Sequence, residues 1–115
     1  MTEAQLQRAV FEHIKQRGAP DAYVFAVPNG GYRRPTEAAI MKGLGVKPGV
    51  PDIIAIHDGK VFGLELKTEA GRPTDSQLAA IEAIRRAGGF AAISYGLDRA
   101  LACLEAWGIL RGRVQ

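Results

Sequence analysis

The sequence predicts an α/β domain whose elements follow the order α-β-α-β-β-α-β-α. Four segments carry apolar residues at helical spacing, and the stretches between them are rich in β-branched and aromatic residues. Asp58-Gly59 lies between two apolar runs, which is the strongest hairpin signal in the chain. With 115 residues and 12.3 kDa there is room for one core, so we expect one domain over residues 1–115.

The first half of the chain contains two predicted helices and one strand. Thr2 and Gln5 have capping-box spacing and predict a first helix, which Gly18 ends. A β-branched and aromatic strand is expected over residues 23–27. We then expect a basic loop and a short helix, over residues 32–36 and 37–44.

The second half contains the hairpin, two helices and the last strand. Thr74 and Gln77 form another capping-box pattern before a helix that runs to about Ala87. The last strand and helix are expected over residues 90–94 and 97–107.

Composition narrows the class of protein without naming a function. The formal charge is +3 and the pI is about 9.3, which favours a polyanionic partner only modestly. There is no apolar run of membrane-spanning length and no signal-peptide pattern at the start. Cys103 is the only cysteine, which excludes an internal disulfide, and we expect a cytoplasmic protein.

The hairpin places two acids opposite each other. If Asp58-Gly59 forms the turn, paired positions sum to 117, and Asp52 faces Glu65 as a close cross-strand neighbour. Two carboxylates that close repel unless a positive group lies between them, and Mg²⁺ suits such a gap. Leu64 and Leu66 point the other way, into a core, and the Leu66 carbonyl could add a neutral ligand.

Strand alternation puts Lys67 on the same face as Glu65. A Glu-x-Lys pattern is common on solvated strands, where the lysine merely neutralises nearby acids. The site interpretation is favoured because the carboxylate face also carries apolar residues and is therefore not expected to be a solvent face: Ile54, Ile56 and Val61.

Two helical residues extend the constellation. Glu3 shares a stripe with Leu6 and Val10, so it lies on the core-facing side of the first helix, although it could simply favour the helix N-terminus. Gln77 shares a stripe with Ile81, although its capping-box position is a sufficient structural explanation.

Taken together, Glu3, Pro51-Asp52, Glu65-Leu66-Lys67 and Gln77 resemble the PD-(D/E)xK nuclease superfamily. More specifically, the chain resembles the small stand-alone VRR-NUC domains of phage and bacterial proteins. Four stretches carry this resemblance in the family's order: Val27–Gly31, Gly45–Asp52, Gly63–Lys67 and Gly71–Gln77. The family implies a restriction-endonuclease-like core, in which helices flank a mixed four-stranded sheet with a central hairpin.

The resemblance also implies roles for these residues. Asp52 and Glu65 would be metal ligands, Lys67 the catalytic lysine and Gln77 a residue lining the site, while Glu3 would be the acid from the first helix. The expected cofactor is Mg²⁺, with Mn²⁺ able to substitute. The expected activity is structure-selective DNA endonuclease activity, with Holliday junctions or flaps as candidate substrates, and by analogy the protein would be a homodimer.

DNA contact requires cations near the carboxylate face, and the flanking loops and short helix supply them. The predicted nucleic-acid-binding residues, each of which could also be an ordinary solvated loop residue, are Asn29, Arg33, Arg34, Lys42, Lys47 and Arg72. Two alternatives stay open. The chain could be a non-catalytic DNA-binding or assembly module of the same fold, or a restriction-type enzyme with sequence specificity.

Overall fold

The computed structural model of the protein describes residues 1–28 and 33–112. Within these residues four helices and four strands follow one another in the predicted order. Their bounds are α1 Glu3–Arg17, β1 Tyr23–Ala26, α2 Pro35–Gly43, β2 Ile53–His57, β3 Lys60–Lys67, α3 Asp75–Arg86, β4 Phe90–Tyr95 and α4 Leu97–Ala106.

The strands form one mixed sheet in the order β1-β2-β3-β4. β1 and β3 are both antiparallel to β2, and β4 is parallel to β3, so the predicted mixed sheet with a central hairpin is confirmed. Ile53 pairs with Leu64 and His57 with Lys60, which is the predicted register. The tight turn between them places both Asp58 and Gly59 at positive φ.

One face of the sheet packs against α1 and α4 to form the core. The buried side chains from the sheet are Ile53, Ala55, Phe62, Leu64 and Leu66, and those from the helices and the segment after α4 are Leu6, Val10, Ala100, Leu101, Leu104, Ile109 and Leu110. The ring of Trp107 closes one end of this core against Phe62, with ring centroids 5.2 Å apart.

The opposite face, which carries Glu65, is covered only in part. α3 packs on β4 and on the adjacent part of β3, through residues such as Ile81 and Ile84. Ile56 and Val61, farther along the same face, are 41% and 42% exposed. The expectation that the carboxylate face is apolar and enclosed is therefore wrong at these two positions, because α3 does not extend over β1 and β2.

The second helix also differs from expectation. α2 begins at Pro35 rather than Glu37, so the end of the predicted basic loop is helical; proline is well suited to this first helical position. None of the nine residues of α2 is buried. Across residues 1–28 and 33–112, no helix combines the length and apolarity needed to cross a bilayer.

Candidate functional site

The open end of the β2–β3 hairpin holds Asp52 by its backbone and its side chain. The Val27 N–H donates to the Asp52 carbonyl at 2.9 Å, which extends the β1–β2 ladder by one residue. On the other side, the Leu66 N–H donates to Asp52 Oδ2 at 2.9 Å. Asp52 is therefore anchored between two strands, with the Leu66 backbone beside its carboxylate.

Three acids from distant parts of the sequence meet at this end. Oxygen atoms of Glu3, Asp52 and Glu65 all lie within 4.8 Å of one another. The Lys67 Nζ lies 3.7 Å from Glu65 Oε2 and 4.0 Å from Glu3 Oε2. We call these four residues the carboxylate site. The structure thus brings together the acids and the lysine that the sequence singled out, although Glu3 is half exposed at its helix end.

Glu65 is the most perturbed member of the carboxylate site. It is 1% exposed, and within the described chain its buried Oε1 accepts no hydrogen bond. Burial, followed by the charge of Asp52 and a hydrogen bond with Asp52, raises the pKa of Glu65 from an ordinary 4.5 to about 8, and Lys67 opposes this rise only in part. Burial and the nearby Asp52 therefore both favour the protonated form of Glu65 in the absence of a metal ion.

Gln77 connects the carboxylate site to α3. Its Oε1 accepts the Thr74 N–H at 2.9 Å, and its backbone N–H donates to the Thr74 hydroxyl, which completes the capping box. The NH₂ group of the same amide, Nε2, donates to Glu65 Oε2 at 3.1 Å. One side chain therefore both begins the helix and orients the buried acid.

Two glycines allow the backbone to pack closely around the carboxylate site. A Cβ on Gly49, which has φ +78°, would lie 2.3 Å from the Ser76 carbonyl group, so the loop before Asp52 touches the first turn of α3. A Cβ on Gly63 would lie 2.9 Å from Pro51. The sequence did not predict that Gly49 contacts Ser76 or that Gly63 contacts Pro51. The signal for the first contact was Gly49 itself, directly before Val50-Pro51-Asp52.

A cation-lined groove lies next to Gln77. Its volume is about 530 Å³, and its walls come from the first turn of α3, from α2 and from the segment after α2. Three predicted nucleic-acid-binding residues line it: Arg33, Lys42 and Lys47. We call residues 33–48, which supply these cations, the α2 arm.

The other predicted nucleic-acid-binding residues lie elsewhere. Arg34 is exposed at the N-cap of α2, and Arg72 is exposed in the loop between β3 and α3. Neither lines the cation-lined groove. Asn29 is outside the described residues.

No protein-family model matches the sequence, and no curated protein matches it either. Among solved structures, a VRR_NUC domain protein matches with a TM-score of 0.78 and 25% identity over 93% of this chain and 88% of that one. The chain therefore shares the fold of VRR_NUC domain proteins over nearly its whole length.

A second solved VRR_NUC domain supports the same fold. It covers 93% of this chain and 99% of the other at 19% identity, with a TM-score of 0.62. Taken with the first match, the VRR_NUC neighbours support a nuclease-family domain, and the three clustered carboxylates are compatible with a divalent metal ion. The site fits a metal ion because its three acids offer hard oxygen donors. One of these oxygens, the buried Oε1 of Glu65, has no hydrogen-bond partner among the described residues.

Proposed function

We propose that this VRR-NUC domain, over residues 1–115, is a Mg²⁺-dependent, structure-selective DNA endonuclease that hydrolyses phosphodiester bonds. The observation that carries the proposal is the convergence of Glu3, Asp52, Glu65 and Lys67 on one partly buried site. Charged groups are costly to bury without a partner, so a fold that concentrates them at one point favours a function over a structural explanation.

In the proposed site Asp52, Glu65 and Glu3 would hold the metal ion, and the Leu66 carbonyl would be available as a neutral ligand. Bound Mg²⁺ would supply charge neutralisation at the scissile phosphate and lower the pKa of a bound water. Gln77 fixes the orientation of Glu65 through its amide, so that Glu65 Oε1 remains available to a ligand.

Lys67 is the proposed catalytic lysine. Its side chain is only 8% exposed and its ammonium lies beside Glu65, so it is held close to where a phosphate would meet the acids. From this position it orients or deprotonates the attacking water, or it stabilises charge on the phosphoryl oxygens.

Substrate contact is assigned to the cations around the carboxylate site. Arg33, Lys42 and Lys47 line a groove that adjoins Gln77, so a DNA strand that continues from the carboxylate site into this groove would meet them. Arg34, Arg72 and Asn29 are proposed as further backbone contacts.

We also propose that the protein acts as a homodimer on branched DNA such as Holliday junctions or flaps. Two copies related by a two-fold axis would present two carboxylate sites, which suits paired cuts in a four-way junction. The exposed apolar side chains of the α2 arm, Ile40, Leu44 and Val46, are available for a contact between copies.

The test is cleavage of a panel of plasmid, linear duplex, flap and four-way junction DNA with Mg²⁺, with Mn²⁺ and with EDTA. The proposal predicts metal-dependent products, strongest on one branched substrate. Binding without cleavage under all conditions would instead support a non-catalytic DNA-binding module. Cuts at one fixed sequence would support a restriction-type enzyme.

A further inference from the structure

Two aromatic side chains lie exposed on the face of the sheet that carries the carboxylate site. Tyr23 is 68% exposed and Phe25 is 36% exposed, and their ring centroids are 5.5 Å apart. Both belong to β1, an edge strand. We call this pair the aromatic ledge.

The pairing of β1 with β2 shows how far the aromatic ledge lies from Asp52 of the carboxylate site. Phe25 pairs with Ile54, which is two residues from Asp52 and on the same face. Two residues of strand span roughly 7 Å, and Tyr23 lies about as far again beyond Phe25. Since successive nucleotides of one strand in duplex DNA are roughly 3.4 Å apart along the axis, the ledge begins about two base steps from the acids.

The ledge contributes little to the core, since α1 and α4 pack on the other face of the sheet. Together with its apolar neighbours Ile54, Ile56 and Val61 it forms a patch of five residues. A stable protein interface uses roughly 20 to 30 residues on each side, so this patch alone is too small to hold a second copy. Adjacent exposed rings, by contrast, are what unpaired nucleobases stack on.

We propose that the aromatic ledge is a stacking platform for an unpaired base beside the scissile phosphate. This proposal rests on the nuclease function proposed above and narrows its substrate class to DNA with unpaired nucleotides next to the cut. Bases inside a duplex stack on each other and offer only their edges, whereas an unpaired base offers a whole face to Tyr23 or Phe25.

The test measures binding in EDTA, where nothing is cleaved. Two oligonucleotides are compared, a continuous duplex and the same duplex with a short unpaired stretch that carries 2-aminopurine. Tyr23→Ala/Phe25→Ala is expected to bind the unpaired substrate about tenfold more weakly, with duplex binding unchanged. Tyr23→Phe keeps the ring and should bind as the wild type does. Phe90→Ala removes a 44% exposed ring on the opposite edge strand and is the control, with its melting temperature measured alongside because this ring stacks on the buried Phe62 at 5.1 Å.

Fluorescence gives a second readout that a merely structural role would not change. The 2-aminopurine signal should be quenched by wild-type protein and by Tyr23→Phe, and should recover in the double alanine variant. Equal losses on both substrates, no loss on either, or unchanged quenching would overturn the platform. A dimer that dissociates in the double variant would place a second copy on this face and would also overturn it.

The two proposals fail separately. A wild-type protein that cleaves no DNA with Mg²⁺ would refute the nuclease function, yet a ring-dependent preference for unpaired DNA in EDTA would still support the platform. Cleavage that is equally efficient on paired and unpaired substrates, in the wild type and in Tyr23→Ala/Phe25→Ala, would retain the nuclease and remove the platform.

Discussion

The carboxylate site and the α2 arm both carry charge, but they hold it in different ways. At the carboxylate site Glu65 and Lys67 are buried on a central strand, and Asp52 and Gln77 are fixed by hydrogen bonds. In the α2 arm the cations Arg33, Lys42 and Lys47 are all exposed on a helix and loop that bury no side chain.

This difference suggests that the carboxylate site carries the chemistry and the α2 arm attracts DNA. Buried charges with fixed partners are strongly coupled to one another, so small changes there should alter chemistry and pH dependence. Exposed charges act through a salt-screened field and contribute to attraction roughly one by one. We therefore expect abrupt losses from changes at the carboxylate site and graded losses from changes in the α2 arm.

The largest expected effect comes from removing a member of the carboxylate site. Asp52→Asn, Glu65→Gln and Lys67→Ala should each reduce metal-dependent cleavage by about 10³-fold or more, since each removes a ligand or the charge beside the phosphate. Initial rates on the best substrate of the panel measure this. Glu12→Gln, on the exposed side of α1, is the matched control and should cleave normally. Full metal-dependent activity in purified Asp52→Asn protein would contradict the assignment.

The next effect is on the stability of the metal-free protein. Because folded Glu65 keeps its proton up to a pKa of about 8, while the unfolded chain releases it near 4.5, the folded state binds more protons between these values. The contribution of Glu65 to the free energy of unfolding should therefore be largest below pH 4.5 and should fall as pH rises towards 8. Thermal melting in EDTA should show a loss of several degrees across this window.

Glu65→Gln provides the control for this pH dependence. The variant has no proton to release and should lose the Glu65 part of the slope, so that near pH 8 it melts above the wild type in EDTA. Mg²⁺ should stabilise the wild type more at pH 8 than at pH 6, since ligand binding must displace the proton. If the melting temperatures of the wild type and Glu65→Gln change with pH in parallel from pH 5 to 8, the pKa of Glu65 is not raised.

A smaller effect is expected at Gln77, and the chain offers a matched control for it. Gln5 and Gln77 occupy the same position in the two capping boxes, but only Gln77 also donates to a buried acid. Alanine at either position should cost about 1 kcal/mol or less in stability. Only Gln77→Ala should also reduce cleavage, by roughly tenfold, as expected for a residue that orients a metal ligand. Equal activity in the two variants would limit Gln77 to capping.

The smallest effect is expected in the α2 arm. Arg33→Ala/Arg34→Ala should lower the slope of log affinity against log salt by about 2, because each phosphate contact contributes about one released counterion. Titration of labelled DNA at several salt concentrations measures the slope. The adjacent pair Arg85 and Arg86, at the far end of α3, is the control and should leave the slope unchanged when substituted by alanine. An unaltered slope in the Arg33/Arg34 variant would exclude these two arginines from phosphate contact.

Much of the fold could be predicted because its determinants are local. Both capping boxes start their helices at the predicted positions, and the Asp58-Gly59 turn sets the register that brings Asp52 towards Glu65. Alternation along β3 then placed Lys67 beside Glu65. These are short-range rules, in which the spacing of residues alone decides which side chains share a face.

The remaining features depend on contacts between distant segments. The half-exposed face of β1 and β2 follows from the reach of α3, which no pattern in the strands encodes. Likewise, the cation-lined groove joins α2, the segment after α2 and the first turn of α3, where Gly49 lets its loop touch Ser76. The second role of Gln77 was also ambiguous in sequence, since its amide oxygen satisfies the capping box while its amide NH₂ is free to donate to Glu65.

The most direct test of the account is a crystal structure of the protein with Mn²⁺, with data collected for the anomalous signal of manganese. The account predicts an anomalous peak among the oxygens of Glu3, Asp52 and Glu65, with the Gln77 amide still bound to Glu65. The carboxylates of Asp52 and Glu65 turned away from each other, with no peak between them at saturating Mn²⁺, would contradict it.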